Sequence, residues 1–186
     1  MKKGWLAVLL MCAAILVCGC SGGGGERRYF SYLEGEVCLS VTGMLDGMDF
    51  SALVQSEAAE QGAIGARGFT LTYLSPEALA GVSVCVRGGE PPSVRRGELT
   101  SQGEAYEPLA WVGELLLKES AVNSTGREQA VGADGTPVQA VVLRTADGAT
   151  RWHDAKTGDP IRLRCQADGR SVEMEITGDR AQATPP

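Results

Sequence analysis

Few residues in this chain have the type and spacing for chemistry. His153 is the only histidine and stands in Arg151-Trp152-His153-Asp154. As a general base it would need a nucleophile nearby and an acid to orient its ring. Asp154 is adjacent in sequence, but neighbours along a strand point to opposite faces, so it is poorly placed for that task. No GxSxG or HExxH segment accompanies it. A hydrolase with His153 as base therefore stands only as the alternative reading, and the chain is not expected to be an enzyme. Asp154 and Asp159, with Gly158 between them, are close enough to suggest a calcium loop. They lack the alternating acidic ligands of an EF-hand, and a tight Asp-Gly-Pro turn explains them better, so no metal site is expected. Gly-rich phosphate-binding motifs are missing too, because the glycines after Ser21 precede no strand–helix unit. No cofactor is implied.

The cysteines divide by position. Val17-Cys18-Gly19-Cys20 resembles the lipobox of bacterial lipoproteins: an aliphatic residue, a small one, Gly or Ala, then the cysteine that is acylated. Lys2 and Lys3 precede an uncharged apolar run from Trp5 to Val17, which has signal-peptide length and is short for a bilayer span. Cleavage between Gly19 and Cys20 would remove residues 1–19 and leave Cys20 to take two acyl chains, enough for stable membrane anchoring. The expected organisation is a signal peptide (1–19), a lipidated Cys20 with a flexible tether (20–28), one domain (29–178) and a frayed tail (179–186). That places the domain outside the cytoplasm, on the cell membrane. Cys38, Cys85 and Cys165 remain, an odd number without CxxC spacing. Alternation puts Cys38 and Cys85 on the polar faces of their strands, where a bridge between them is allowed, and Cys165 on an apolar face. Three free thiols, with Cys165 a small core residue, are the simpler reading.

Charge narrows the partners. The precursor has 17 basic and 23 acidic residues, and loss of Lys2 and Lys3 leaves 15 against 23, a net −8. No basic block survives, which argues against nucleic acid. The 167 residues after cleavage suit one domain with a real core.

The elements that would position these residues read mainly as strands. Leu33, Val37, Leu39 and Val41 share one face, with Glu34, Glu36, Ser40 and Thr42 on the other. Asp46-Gly47 predicts a two-residue hairpin that sets Val41 against Ala52, Leu39 against Val54 and Gly43 against Phe50. Residues 68–74 form another strand, 75–81 a helical turn opened by Ser75-Pro76 and stopped by Gly81, and 82–86 a further strand. Residues 93–99 are expected to continue the sheet. One longer helix is predicted over 107–119, where Leu109, Val112 and Leu116 recur at helical spacing, with Trp111 and Leu115 beside them. Residues 123–126 read as a loop. From Thr136 a meander follows: strands over 138–145, 150–154, 161–167 and 171–177, with turns at Asp147-Gly148, 157–160 and Asp168-Gly169. In the last hairpin Ile161 should face Ile176, Leu163 Met174 and Cys165 Val172, with Arg162 opposite Glu175 and Arg164 opposite Glu173. Trp111 and Trp152 are expected to pack on the core or a sheet face.

Two tracts resemble the LolA/LolB/RseB-like superfamily, as found in anchored lipoproteins of Gram-positive spore-forming bacteria. One is the strand, helical turn and strand beginning Phe69-Thr-Leu-Thr-Tyr-Leu-Ser-Pro-Glu-Ala-Leu. The other is residues 138–163, where Asp154-Ala-Lys-Thr-Gly-Asp-Pro-Ile looks like that family's step between late strands. The resemblance implies an α+β fold: a curved antiparallel sheet, an incomplete barrel, with its concave side partly closed by one main helix and a short helical turn. It further implies a non-enzymatic binding protein for acyl chains or for an envelope protein partner, as in carriers, sensors and germination lipoproteins. No catalytic residues carry over from it. The chain departs from the periplasmic carriers in its own lipidation signal and in having only three phenylalanines, which argues against a roomy lipid cavity. In a two-membrane cell Ser21 after the acylated cysteine would permit outer-membrane sorting, but the resemblance points to a single membrane.

Overall fold

Two-residue turns organise this chain. Asp46 and Gly47 both adopt positive φ, 51° and 82°, which matches the right-handed twist of the strands they join. The strands are β1, Val37–Leu45, and β2, Met48–Ser56. Their register is the predicted one: Val41 faces Ala52, Leu39 faces Val54 and Gly43 faces Phe50. The computed structural model describes residues 27–56, 68–132 and 134–178. The expected signal peptide, Gly19, Cys20 and the expected tether up to residue 26 lie outside the described residues, as does the expected tail.

The remaining elements, in chain order, are β3 (Phe69–Ser75), β4 (Val82–Val86), β5 (Ser93–Arg96), β6 (Leu99–Gln102), α1 (Glu107–Leu117), β7 (Val122–Val131), β8 (Pro137–Thr145), β9 (Ala149–Asp154), β10 (Pro160–Ala167) and β11 (Arg170–Gly178). A 3-10 helix, Arg27–Leu33, precedes β1, and a short one, Glu104–Tyr106, leads into α1. All eleven strands form one antiparallel sheet in the order β6-β5-β4-β3-β2-β1-β11-β10-β9-β8-β7. The sheet is open, so the fold is the expected α+β curved sheet with one main helix. Its two edge strands, β6 and β7, are joined in sequence by α1, so the chain crosses between them through that helix.

The helical turn of 75–81 is present, with the Leu79 and Ala80 amides donating to the Pro76 carbonyl. At the last hairpin Asp168 and Gly169 again take positive φ, and Leu163 faces Met174, Arg164 faces Glu173 and Cys165 faces Val172. Three expectations need correction. Leu33 belongs to the 3-10 helix rather than to the first strand, which starts at Val37. Its face is set by Tyr29, Phe30, Tyr32 and Leu33, all buried, a spacing without period two. Residues 123–126 are not a loop: they lie within β7, paired to β8 from Ser124 opposite Arg144 to Gly126 opposite Val142. As an edge strand largely exposed on both faces, β7 needs no apolar alternation, and its Asn-Ser-Thr-Gly run imitates a turn. The strand expected over 93–99 breaks at Gly97, φ 60°, into β5 and β6.

One continuous core fills the space inside the curve. It includes Val41, Val54, Leu71, Tyr73 and Val84 from one half of the sheet, and Leu143, Leu163, Met174 and Ile176 from the other. Ala110, Val112, Leu115 and Leu116 enter it from α1, and Tyr29, Phe30, Tyr32 and Leu33 from the N-terminal 3-10 helix.

Candidate functional site

Several side chains bond the carbonyls near the two ends of α1. A helix leaves its last four carbonyls without intrahelical donors. Two of them are taken here by side chains: Arg151 Nη1 donates to the Leu115 carbonyl at 2.5 Å, and the Tyr32 hydroxyl donates to the Leu116 carbonyl at 2.5 Å. Near the other end the Tyr73 hydroxyl donates to the Leu109 carbonyl at 2.8 Å and Arg170 to the Pro108 carbonyl at 2.9 Å. Burial pushes the Tyr73 phenol up to about 12, so it stays a donor throughout the physiological range. Arg170 also lies 4.5 Å above the Trp111 ring and 3.2 Å from Asp46, so one guanidinium ties α1 to both turns beneath it. Trp111 is thus packed as expected, against a cation as well as the core.

Arg151 is 2 % exposed, which an isolated cation cannot sustain. Its charge is met by Asp147 at 2.6 Å, in the turn between β8 and β9. Asp147 in turn accepts from the Thr145 hydroxyl at 2.6 Å and the Ala149 amide at 3.1 Å. Burial alone would raise its carboxyl, but Thr145, Arg151 and the amide together hold it below its ordinary value. Nothing in the sequence marks Arg151 as buried, because an arginine in a strand reads by default as a surface charge.

His153 is 1 % exposed. The rings of Tyr29, Phe30 and Tyr32 stand around it with centroids at 5.6, 6.0 and 6.2 Å. Its Nδ1 is 3.1 Å from the Gly158 carbonyl, which can only accept, so Nδ1 carries the proton of the neutral ring. Nε2 is buried without a hydrogen-bond partner among the described residues. Burial pushes the imidazole down to about 4; Arg151 acts in the same direction, while the Gly158 carbonyl and Asp159 oppose it. A ring enclosed in this way presents no exposed edge to a substrate. Asp154 Oδ1 accepts from the Lys156 and Thr157 amides, closing the turn that leads to Gly158 and Asp159. That is the structural role expected for this segment, and among the described residues no cluster of acidic, histidine or cysteine groups could hold a metal ion.

The cysteines are free. Cys165 is buried, Cys38 exposed and Cys85 half-exposed. Cys38 faces Gln55, Gln55 faces Thr70 and Thr70 faces Cys85, so the two thiols stand three strand spacings apart, about 14 Å. A disulfide needs Cα atoms within about 7 Å. The Cys38–Cys85 bridge therefore cannot form in this sheet. Trp152 lies on the outer face, where its Nε1 donates to Glu128 and Arg162 stacks 5.2 Å from its ring.

Among solved structures, the domain resembles that of MucB. The structure of MucB superposes with a TM-score of 0.51 at 13% identity, over 90% of this chain and 62% of that one. The two share a fold. The chain spans less than two thirds of the MucB chain, and the likeness speaks for the fold alone. The shared fold is the curved antiparallel sheet with one main helix that the sequence resemblance implied. Looser likenesses are a putative outer membrane lipoprotein-sorting protein domain from Vibrio parahaemolyticus (TM-score 0.42, 9% identity, 87% of this chain and 92% of that one) and the LolA superfamily protein NE2245 from Nitrosomonas europaea (0.35, 7%, 85% and 92%). No protein-family model matches the chain, and no curated protein matches it. No helix among the described residues is long and apolar enough to cross a membrane.

Proposed function

We propose that this chain is an extracytoplasmic lipoprotein, acylated at Cys20 on the cell membrane, whose curved domain is a non-enzymatic binding module for an envelope protein. The single observation that carries the binding role is the fold shared with MucB; the Pseudomonas aeruginosa protein has been solved in complex with MucA. Both a protein and a lipidic ligand agree with the family resemblance. The packed interior favours the protein: Leu115, Leu116, Tyr32 and Leu33 fill the concave side that an acyl chain would occupy. The envelope meant is that of a single-membrane spore former, as the resembling lipoproteins suggest.

The anchor rests on Lys2-Lys3, the apolar run and Val17-Cys18-Gly19-Cys20. The test is a pull-down of the membrane-bound protein with lipid analysis of the eluate. One reproducible protein partner and no stoichiometric acyl chain is the expected result; a bound acyl chain without a partner would move the reading to a carrier. Mass spectrometry of the same material should find diacylated Cys20, and Cys20→Ala should release the protein from the membrane. An unmodified Cys20 in the membrane fraction overturns the anchor and leaves the binding role to be judged by the pull-down.

A further inference from the structure

The N-terminal 3-10 helix Arg27–Leu33 belongs to no strand ladder, and its buried side chains anchor it to the domain. Tyr29, Phe30, Tyr32 and Leu33 are buried. Three of those rings close over His153, the Tyr32 hydroxyl reaches the Leu116 carbonyl, and Arg28 donates to the Ala155 carbonyl at 2.8 Å. The Arg28 carbonyl lies against Gly158, where an added Cβ would sit only 3.0 Å away. The helix thus meets the end of α1, the turn after β9 and His153 together. Beneath it, His153 Nε2 is buried with no hydrogen-bond partner among the described residues.

We propose that this helix is a proton-released latch: it stays closed on a neutral His153 and lifts away when Nε2 takes up a proton, freeing the C-terminal end of α1. A protonated Nε2 needs an acceptor, and among the described residues it has none. The surrounding groups can be named element by element. The 3-10 helix presents Arg28, Tyr29 and Tyr32; β9 presents Arg151 and Asp154; the turn after it carries Lys156 and Asp159; and Lys118 follows α1. Of these, Arg151 opposes a second positive charge and Asp159 favours it, while the rings exclude the water that would hydrate it. Lifting the helix admits that water at the cost of aromatic packing. The proposal does not depend on acylation at Cys20: it concerns how residues 27–33 hold to the domain, whatever precedes them.

The direction in pH follows from linkage. The open state has a solvated histidine near the ordinary 6.5 and the closed state one near 4, so the open state binds more protons between those values. Opening is therefore promoted as the pH falls below 6.5, by about 20-fold at pH 5 relative to pH 7. Hydrogen exchange of the full-length protein in detergent micelles tests this, after correction for the intrinsic pH dependence of exchange. Amides of residues 27–33 and 116–118 should lose protection about 20-fold between pH 7 and pH 5, while those of β1 to β3 hold. His153→Phe, which fills the box without titrating, should abolish the dependence. The proposal is overturned if wild-type protection is unchanged by pH 5, if the whole sheet loosens in parallel, or if His153→Phe retains the dependence. Should that variant not fold, an NMR titration of the single wild-type imidazole decides: a midpoint well below 6.5 that tracks exchange at 27–33 supports the latch, and an ordinary midpoint refutes it.

Discussion

Arg151 shows what a single residue can do in this domain. Its guanidinium meets Leu115 of the helix, Asp147 of a turn and, at 3.4 Å, the Thr145 hydroxyl of β8. Removing it leaves the half-buried Asp147 carboxylate without its counter-charge and the Leu115 carbonyl without its side-chain donor. Arg151→Met should cost about 3–5 kcal/mol in urea denaturation, because breaking one side of a buried pair strands the other. Arg151→Lys should recover little, since one ammonium cannot reach three acceptors spread as a fork. Asp147 also sets an acid limit. Its folded value lies below the ordinary carboxylate one, so its contribution is complete above that ordinary range and is lost as the pH falls through the folded value. None of this was legible in the sequence, where Arg151 sits between Thr150 and Trp152 without any mark of burial. His153 was legible as unusual, being alone, but whether it faced solvent or core depended on a 3-10 helix that has no period to read.

At the scale of elements, hairpins declared themselves because two signals agreed, a turn dipeptide and the coincidence of apolar faces across it. The last hairpin keeps its expected register, yet its ion pairs run differently. Arg162 stands opposite Glu175 but pairs with Glu173, diagonally, and Arg164 approaches the same carboxylate at 4.0 Å. Stacking on Trp152 aims the Arg162 guanidinium that way. These charges are exposed, so reversing Arg162 and Arg164 together should change stability by less than about 1 kcal/mol. Leu163→Asp, between them but 1 % exposed, should abolish the cooperative thermal transition followed by circular dichroism. A second contact was hidden from sequence reading altogether. A Cβ at Gly113 of α1 would fall 2.2 Å from the Phe69 ring of β3, so the missing side chain lets helix and sheet pack closely here. Gly113→Ala should cost about 1–3 kcal/mol despite its better helix propensity, and Phe69→Leu in the same chain should return part of that cost. The strand β7 stayed unread for the opposite reason: half of what makes a strand recognisable is burial, and an edge has little.

On the scale of the molecule, the sheet separates three thiols by exposure, which gives a direct check of the whole arrangement. A charged alkylating reagent should modify Cys38 quickly and Cys85 more slowly in the native protein, and reach Cys165 only on unfolding. Rapid labelling of Cys165 without denaturant would mean that β10 does not face the core. The sheet is also assembled almost wholly from sequence neighbours: β1 to β6 pair in order, β7 to β11 pair in order, and only β1 with β11 joins the two sets.

The crossing of α1 from β6 to β7 has a mechanical side. Those strands are the two free edges, and the chain between Gln102 and Val122 is the one covalent link from edge to edge. A helix of eleven residues is about 16 Å long and resists both stretching and compression. Clamped by Arg170 and Tyr73 near its start and by Arg151 and Tyr32 near its end, it works as a tie-rod across a bow. The length of that rod, counted in residues, limits how far the sheet can flatten.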